Sequence, residues 1–119
     1  MKQTVEVVGM GYVGLPSALS LADNGANVIG YDVSEDRLVD IKADRVDLLP
    51  RDHARLTTQL AQDRLTLTTE PATLAGADAI LICVPTPVDA HQCPDLTALR
   101  SACATVVEHA RPGRPTVLP

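Results

Sequence analysis

The chain has no tryptophan, no phenylalanine and only two tyrosines in 119 residues. Its core must therefore be assembled from Val, Leu, Ile and Ala, and two tyrosines offer almost no platform on which bases could stack. A surplus of positive charge is missing too. Ten basic residues against fifteen acidic ones leave a net charge of −5, with nothing clustered to displace counterions from a phosphate backbone. Nucleic acid is not an expected partner. Cysteine is scarce and odd in number: Cys83, Cys93 and Cys103 lie ten apart with no C-x-x-C pair, which indicates neither a disulfide framework nor a metal site. They read as buried or half-buried thiols of a reducing cytosol. No stretch approaches the roughly 20 continuous apolar residues of a membrane span. The N-terminal segment "MKQTVEVVGMGYVGLPSALSLA" lacks a signal peptide's uninterrupted apolar region, because Glu6, three glycines and Pro16 break it. The expectation is a cytoplasmic protein with no membrane partner.

What is present is alternation. The 119 residues leave room for one domain, small for a complete two-substrate enzyme. A short β-branched strand, Thr4–Gly9, is followed by "YVGLPSALSLADNG" at helical spacing, with Leu15, Ala18, Leu19 and Ala22 on one face. Residues Asn27–Asp32 form a second strand, and Ser34 caps a second helix whose first turn carries Glu35 and Asp36. "RVDLLP" reads as loop, "HARLTTQLAQ" as a helix with Leu56 and Leu60 inward, and Arg64–Thr69 as a third strand. "PATLAGA" is a short helix or turn, and Asp78–Pro85 is the most apolar strand, with Cys83 inside it. A helix capped by Asp95 then presents Leu96, Leu99, Cys103, Val106, Val107 and Ala110 as a stripe, and "PTVLP" begins a fifth strand. Strands alternating with helices, and continuously apolar strands such as "AILICV", predict an α/β fold: a doubly wound parallel sheet of Rossmann type, in order 3-2-1-4-5.

The first strand-to-helix turn reads Gly9-Met10-Gly11-Tyr12-Val13-Gly14. A G-x-G-x-x-G run alone is weak evidence. Here a strand precedes it, a helix opens from it, and Asp32 closes the next strand 23 residues after Gly9. Gly9 allows the tight turn, Gly11 lacks the Cβ that would keep a pyrophosphate off the backbone, and Gly14 lets the helix approach the sheet. The first helical N–H groups then face the phosphates. Asp32 would accept hydrogen bonds from a ribose and repel a 2′-phosphate, so NAD is favoured over NADP. Arg37 reads equally as a cover for the adenosine end or as a solvated helix arginine. After the fourth strand, the loop Val84-Pro85-Thr86-Pro87 is stiffened by its prolines and presents one hydroxyl at the carboxyl end of the sheet.

Together, "VVGMGYVGLP", "VIGYDVSEDR" and "ILICVPTPVD…PDL" resemble the N-terminal domain of the UDP-glucose/GDP-mannose dehydrogenases, the nucleotide-sugar 6-dehydrogenases. The resemblance points toward the branch that includes UDP-N-acetylmannosamine dehydrogenase. It implies that residues 1–119 are an NAD-binding domain, with Gly9, Gly11, Tyr12, Val13, Gly14, Asp32, Arg37 and Thr86 at the cofactor and Val84 and Pro85 beside it. It further implies oxidation of a sugar C6 hydroxyl to a carboxylate with two NAD⁺, and homo-oligomerisation in the parent enzyme. The family's nucleophilic cysteine stands in a Gly-x-Cys-x-Pro-Lys-Asp type motif absent from this chain. No catalytic residue is therefore assigned, and central and nucleotide-sugar-binding domains are expected to belong to a longer chain. His53, His91 and His109 are scattered and read as surface residues, and Asp89 and Asp95 flank the cofactor loop. Two other functions fit the same glycine loop: a stand-alone NAD(H)-sensing module, and the cofactor domain of another NAD-dependent hydroxy-acid dehydrogenase.

Overall fold

The apolar run before Gly9 becomes the central strand of a parallel sheet. The computed structural model describes residues 3–88 and 90–117. Its strands are β1 (Thr4–Val8), β2 (Asn27–Tyr31), β3 (Leu65–Thr68), β4 (Ala79–Ile82) and β5 (Thr116–Val117), ordered β3-β2-β1-β4-β5. All four pairings are parallel, as expected of strands joined by crossovers. The expected topology is the one observed.

Strand order decides which helices cover which face. α1 (Gly14–Asp23), α2 (Glu35–Lys42) and α3 (Pro50–Ala61) belong to the β1-to-β3 half, and their apolar residues Leu15, Leu19, Ile41 and Leu56 share one core with Val7, Met10 and Val28. At β1 the order reverses, so the connections from β3 to β5 cover the opposite face. There a 3-10 helix (Pro71–Gly76) and α4 (Thr97–His109) place Leu74, Ala102 and Val106 against Val8, Tyr31, Ile80 and Ile82. The alternation of β1 is visible in this split, with Val7 on one face and Val8 on the other. Burying each Leu or Ile of these clusters contributes about 1.5–3 kcal/mol, which is how a core without large aromatics is held.

Polar groups join the elements as well. Gln59 on α3 is 1% exposed and donates from Nε2 to the Leu19 carbonyl (2.8 Å) and to Asp23 Oδ1 (2.7 Å), fastening α3 along α1. Arg55 adds an ion pair to Asp23 at 2.7 Å. Asp78 accepts from the Thr4 amide at 2.9 Å and from Arg114 at 3.2 Å, tying the entrance of β4 to β1 and to the approach of β5.

Several boundaries differ from expectation for identifiable reasons. α3 begins at Pro50, three residues before the expected start, because proline is favoured in a first turn where its missing N–H costs nothing. Leu60 is only partly buried, and the inward position is taken by Gln59. Cys83 lies one residue past β4 rather than inside it, though its amide still donates to the Val8 carbonyl at 2.7 Å. α4 starts at Thr97 with Leu96 at the cap position. Asp95 still serves the helix from one residue earlier, accepting from the Thr97 amide at 2.9 Å, and hydrogen bonds from the Thr97 hydroxyl and then its amide hold the carboxyl below the usual range. The apolar stripe of α4 is narrower than expected, since Val107 is 83% exposed and Leu96 is also exposed, whereas Ala102 is buried. The last two residues of "PTVLP", and Asp89, lie outside the described residues.

One packing detail binds the glycine turn to the sheet. The Met10 side chain folds beneath β2 and is fully buried. A Cβ built on Gly30 would lie 2.6 Å from Met10 Cε and 2.9 Å from Leu67 Cδ2. Gly30→Ala is expected to destabilise the fold by about 1–3 kcal/mol, and Met10→Ala by about 2–5 kcal/mol. Since both changes act on one space, the double variant is expected to lose less than their sum in urea unfolding. Simple additivity would refute the contact.

Candidate cofactor-binding site

Gly9 turns the chain out of β1 with φ +97°, a conformation that side chains resist, while its amide donates to the Tyr31 carbonyl at 2.8 Å. The turn is packed hard on its inner side. A Cβ on Gly9 would meet the Cys83 carbonyl oxygen at 2.6 Å, and one on Gly14 would meet the Gly9 carbonyl oxygen at 1.7 Å. Gly11 is different. Nothing lies within 4 Å of where its Cβ would be, so the fold does not demand a glycine there. The bare side of Gly11 opens into a cleft.

The start of α1 faces the same cleft. Val13 occupies its cap position without a capping side chain, and no acidic residue stands in the first turn. Within that turn Leu15 and Ser17 donate to the Gly11 and Val13 carbonyls, each at 3.1 Å, and Pro16 has no N–H, so the helix N-terminus offers an anion from outside its partial positive charge and the Gly14 amide.

Asp32 follows β2 and uses both carboxylate oxygens on backbone. Oδ2 accepts from the Met10 amide and Oδ1 from the Ser34 amide, each at 2.9 Å. Arg37 sits in the first turn of α2, which Ser34 caps by accepting from the Arg37 amide at 3.2 Å. The Arg37 Nε donates to the Met10 carbonyl at 2.7 Å. The Met10 residue is thus held at its N–H by Asp32, at its C=O by Arg37 and at its side chain by the core. A carboxylate accepting two amides retains lone pairs for two hydroxyls, and the guanidinium retains N–H donors beyond Nε.

Two adjoining clefts result. One, about 740 Å³, is lined by Gly11, Tyr12, Val13, Arg37, Val84, Pro85 and Thr86, with Leu99 and Cys83 behind them. The other, about 400 Å³, lies between Asp32, Val33 and Ser34 on one side and Ala98, Ser101, Ala102 and Thr105 of α4 on the other, with Gly9 at its base. Gly11, Arg37, Cys83, Val84 and Pro85 border both. The structure therefore brings nine of the ten expected residues to one continuous groove. Gly14 is the exception. It lines neither cleft, and its missing side chain serves the Gly9 carbonyl.

The α4 residues were missed in the sequence. Ala98, Ser101, Ala102 and Thr105 fall at i, i+3, i+4 and i+7, a stripe of small side chains legible in "ALRSACAT" had it been read as a wall rather than as core. Cys83 borders the groove with a thiol pushed up from its ordinary pKa by burial, which makes it a weak nucleophile. None of the three histidines lines it. His53 and His109 are half-buried rather than on the surface, and they pair with Asp44 and Glu108. Among the described residues no group of three or more His, Cys, Asp or Glu could hold a metal, and no helix is long and apolar enough to cross a membrane.

The family model described as "UDP-glucose/GDP-mannose dehydrogenase family, NAD binding domain" matches residues 3–118. Protein CapL of Staphylococcus aureus is 38% identical over 106 residues, which are 89% of this chain and 24% of that protein. The NDP-N-acetyl-D-galactosaminuronic acid dehydrogenase of Ralstonia nicotianae is 36% identical over 98% of this chain and 27% of its own length. Among solved structures, UDP-D-ManNAc dehydrogenase from Pyrococcus horikoshii matches with a TM-score of 0.88 at 32% identity, over 97% of this chain and 28% of that one. The chain spans about a quarter of the length of the curated relatives it matches.

The three glycines of the turn are expected to separate by experiment. Gly9→Ala and Gly14→Ala force a methyl group into backbone and are expected to cost more than about 3 kcal/mol each, whereas Gly11→Ala stays within about 1 kcal/mol of the parent. Urea unfolding of the three variants reads this directly, and equal losses at all three would contradict the open side of Gly11.

Proposed function

The chain belongs to the UDP-glucose/GDP-mannose dehydrogenase family as its NAD-binding domain, and from that premise we propose that it is the cofactor half of a nucleotide-sugar 6-dehydrogenase. The substrate class is a nucleoside diphosphate bonded to an N-acetylated amino sugar. That choice follows the names of similar proteins, a UDP-D-ManNAc dehydrogenase and an NDP-N-acetyl-D-galactosaminuronic acid dehydrogenase, the second naming a sugar with the C6 carboxylate that this reaction would form. The overall reaction is oxidation of the sugar's C6 alcohol to a carboxylate, with a hydride passing to NAD⁺ in each of two rounds.

In this assignment the pyrophosphate rests on the backbone beside Gly11, where the uncapped start of α1 supplies its dipole and the Gly14 amide. Tyr12 and Val13 form the rim. Asp32 accepts the adenosine ribose hydroxyls on the lone pairs its two amide bonds leave free, and its charge opposes a 2′-phosphate. The slot between Val33 and the small residues of α4 takes the adenine, with Arg37 closing over it. Val84, Pro85 and Thr86 hold the nicotinamide ribose side. The observation that carries this assignment is Gly11, whose missing side chain no protein atom requires. Bound NAD supplies the hydride acceptor, and the chain's own residues bind and orient it. With no Gly-x-Cys-x-Pro-Lys-Asp sequence and with Cys83 buried and weakly acidic, this chain alone binds NAD(H) and does not complete the oxidation.

A titration of NADH fluorescence is expected to saturate. Gly11→Ala weakens binding by about tenfold or more while unfolding at nearly the parent's midpoint, and its failure to do so would remove the pyrophosphate assignment. Asp32→Asn loses a charge-assisted bond of about 1.5–3 kcal/mol, so NAD affinity falls about tenfold or more and the preference over NADP narrows. Unchanged affinities for both cofactors would overturn the ribose assignment.

A further inference from the structure

Glu6 stands in the middle of the central strand, flanked in register by Ile29 and Ile80, and is 0% exposed. It lies on the Val8 face, beneath the 3-10 helix. Its Oε1 is buried without a hydrogen-bond partner, and its Oε2 has one, the Thr73 hydroxyl at 3.1 Å. That hydroxyl also stands 3.0 Å from the Glu70 carbonyl oxygen.

A threonine hydroxyl has a single hydrogen. If Glu6 were ionised, its carboxylate and the Glu70 carbonyl would compete for that hydrogen, and a buried charge would hold at most one bond. If Glu6 is protonated, its Oε2–H donates to Thr73 Oγ1 and the Thr73 O–H donates to the Glu70 carbonyl. Every hydrogen in the chain then has an acceptor, so burial and donor count select the neutral acid.

The surroundings supply no compensating cation. Tyr31 on β2 faces the same cluster, its phenol pushed up by burial and by the carboxylates of Glu6, Asp32 and Glu70. The Glu70 carboxylate turns to the Ala72 amide at 3.4 Å. Neighbouring β4 contributes Ile80, and α4 contributes Ala102 and Val106. None of the ion pairs among the described residues includes Glu6.

We propose that Glu6 is a pH-sensitive latch: as a neutral acid it fastens the 3-10 helix Pro71–Gly76 to the central strand through Thr73, and on losing its proton to solvent it releases that helix. Leu74 of the helix packs with Ala102 and Val106 of α4, so release loosens the element that walls the groove. Burial raises the carboxyl from 4.5 to about 7. The sign follows: the stabilisation is complete below pH 4.5 and is lost as pH rises through about 7.

The test needs no cofactor. The Glu6 carboxyl carbon is expected to titrate near pH 7 by NMR, and Thr73→Val, which removes the acceptor of the acid's proton, moves that midpoint lower. Between pH 5 and pH 8 the folding equilibrium constant of the parent is expected to fall relative to Glu6→Gln by on the order of a hundredfold. The Ala77 amide, bonded to the Leu74 carbonyl at 3.2 Å, loses exchange protection with pH in the parent and not in Glu6→Gln. A carboxyl that titrates near 4.5, a parent-to-variant difference that ignores pH, or a midpoint indifferent to Thr73→Val would each overturn the latch. Should Glu6→Gln fold poorly, the parent's carboxyl titration and Thr73→Val decide alone.

Discussion

The contact on which the rest of this structure depends is the approach of Gly14 to the Gly9 carbonyl. A side chain at Gly14 would begin 1.7 Å from that oxygen, and one at Gly9 would press on the Cys83 carbonyl. Two turns of backbone therefore meet with no side chain between them, at the point where strand order reverses between β1 and β4. This contact sets the angle at which α1 leaves the sheet and brings its N-terminus over the carboxyl ends of the strands. A groove at such a reversal is where open α/β sheets take ligands. Here the sterics of three bare positions build it, two turned toward protein and one toward open space.

The second level of organisation is the hold on Met10. Asp32 takes its amide, Arg37 takes its carbonyl, and the side chain is wedged under Gly30. Residues 22 and 27 positions away in sequence thus settle the shape of the glycine turn before any ligand arrives. Preorganisation of this kind lowers the ordering cost of binding. It also explains why the expected cofactor residues from β2 and α2 fall together with those of the first turn.

Much of this was legible in the sequence because the informative residues are those whose chemistry permits few alternatives. Glycines at 9, 11 and 14 after a β-branched run, and an aspartate closing the next strand, announce a strand–turn–helix unit. The parallel order followed from the alternation of strands and helices, since a run such as "AILICV" is too uniformly apolar for a half-exposed sheet. The failures share a cause. Val107 was assigned inward because it is apolar, but a helix edging one side of a sheet buries a narrower face than its composition suggests. Gln59 was passed over because it is polar, although two hydrogen bonds make it a core residue. The stripe of small residues on α4 and the role of Met10 depend on what lies opposite them, which no single segment reveals.

The double engagement of Asp32 has an evolutionary corollary. A residue that merely greeted an incoming ribose could be exchanged freely when a lineage came to favour a phosphorylated coenzyme. This one also anchors the glycine turn through the Met10 amide, so replacing it would disturb that turn along with any ribose contact. A substitution at Asp32 that altered coenzyme preference would therefore also have to supply a group that recaptures the Met10 amide.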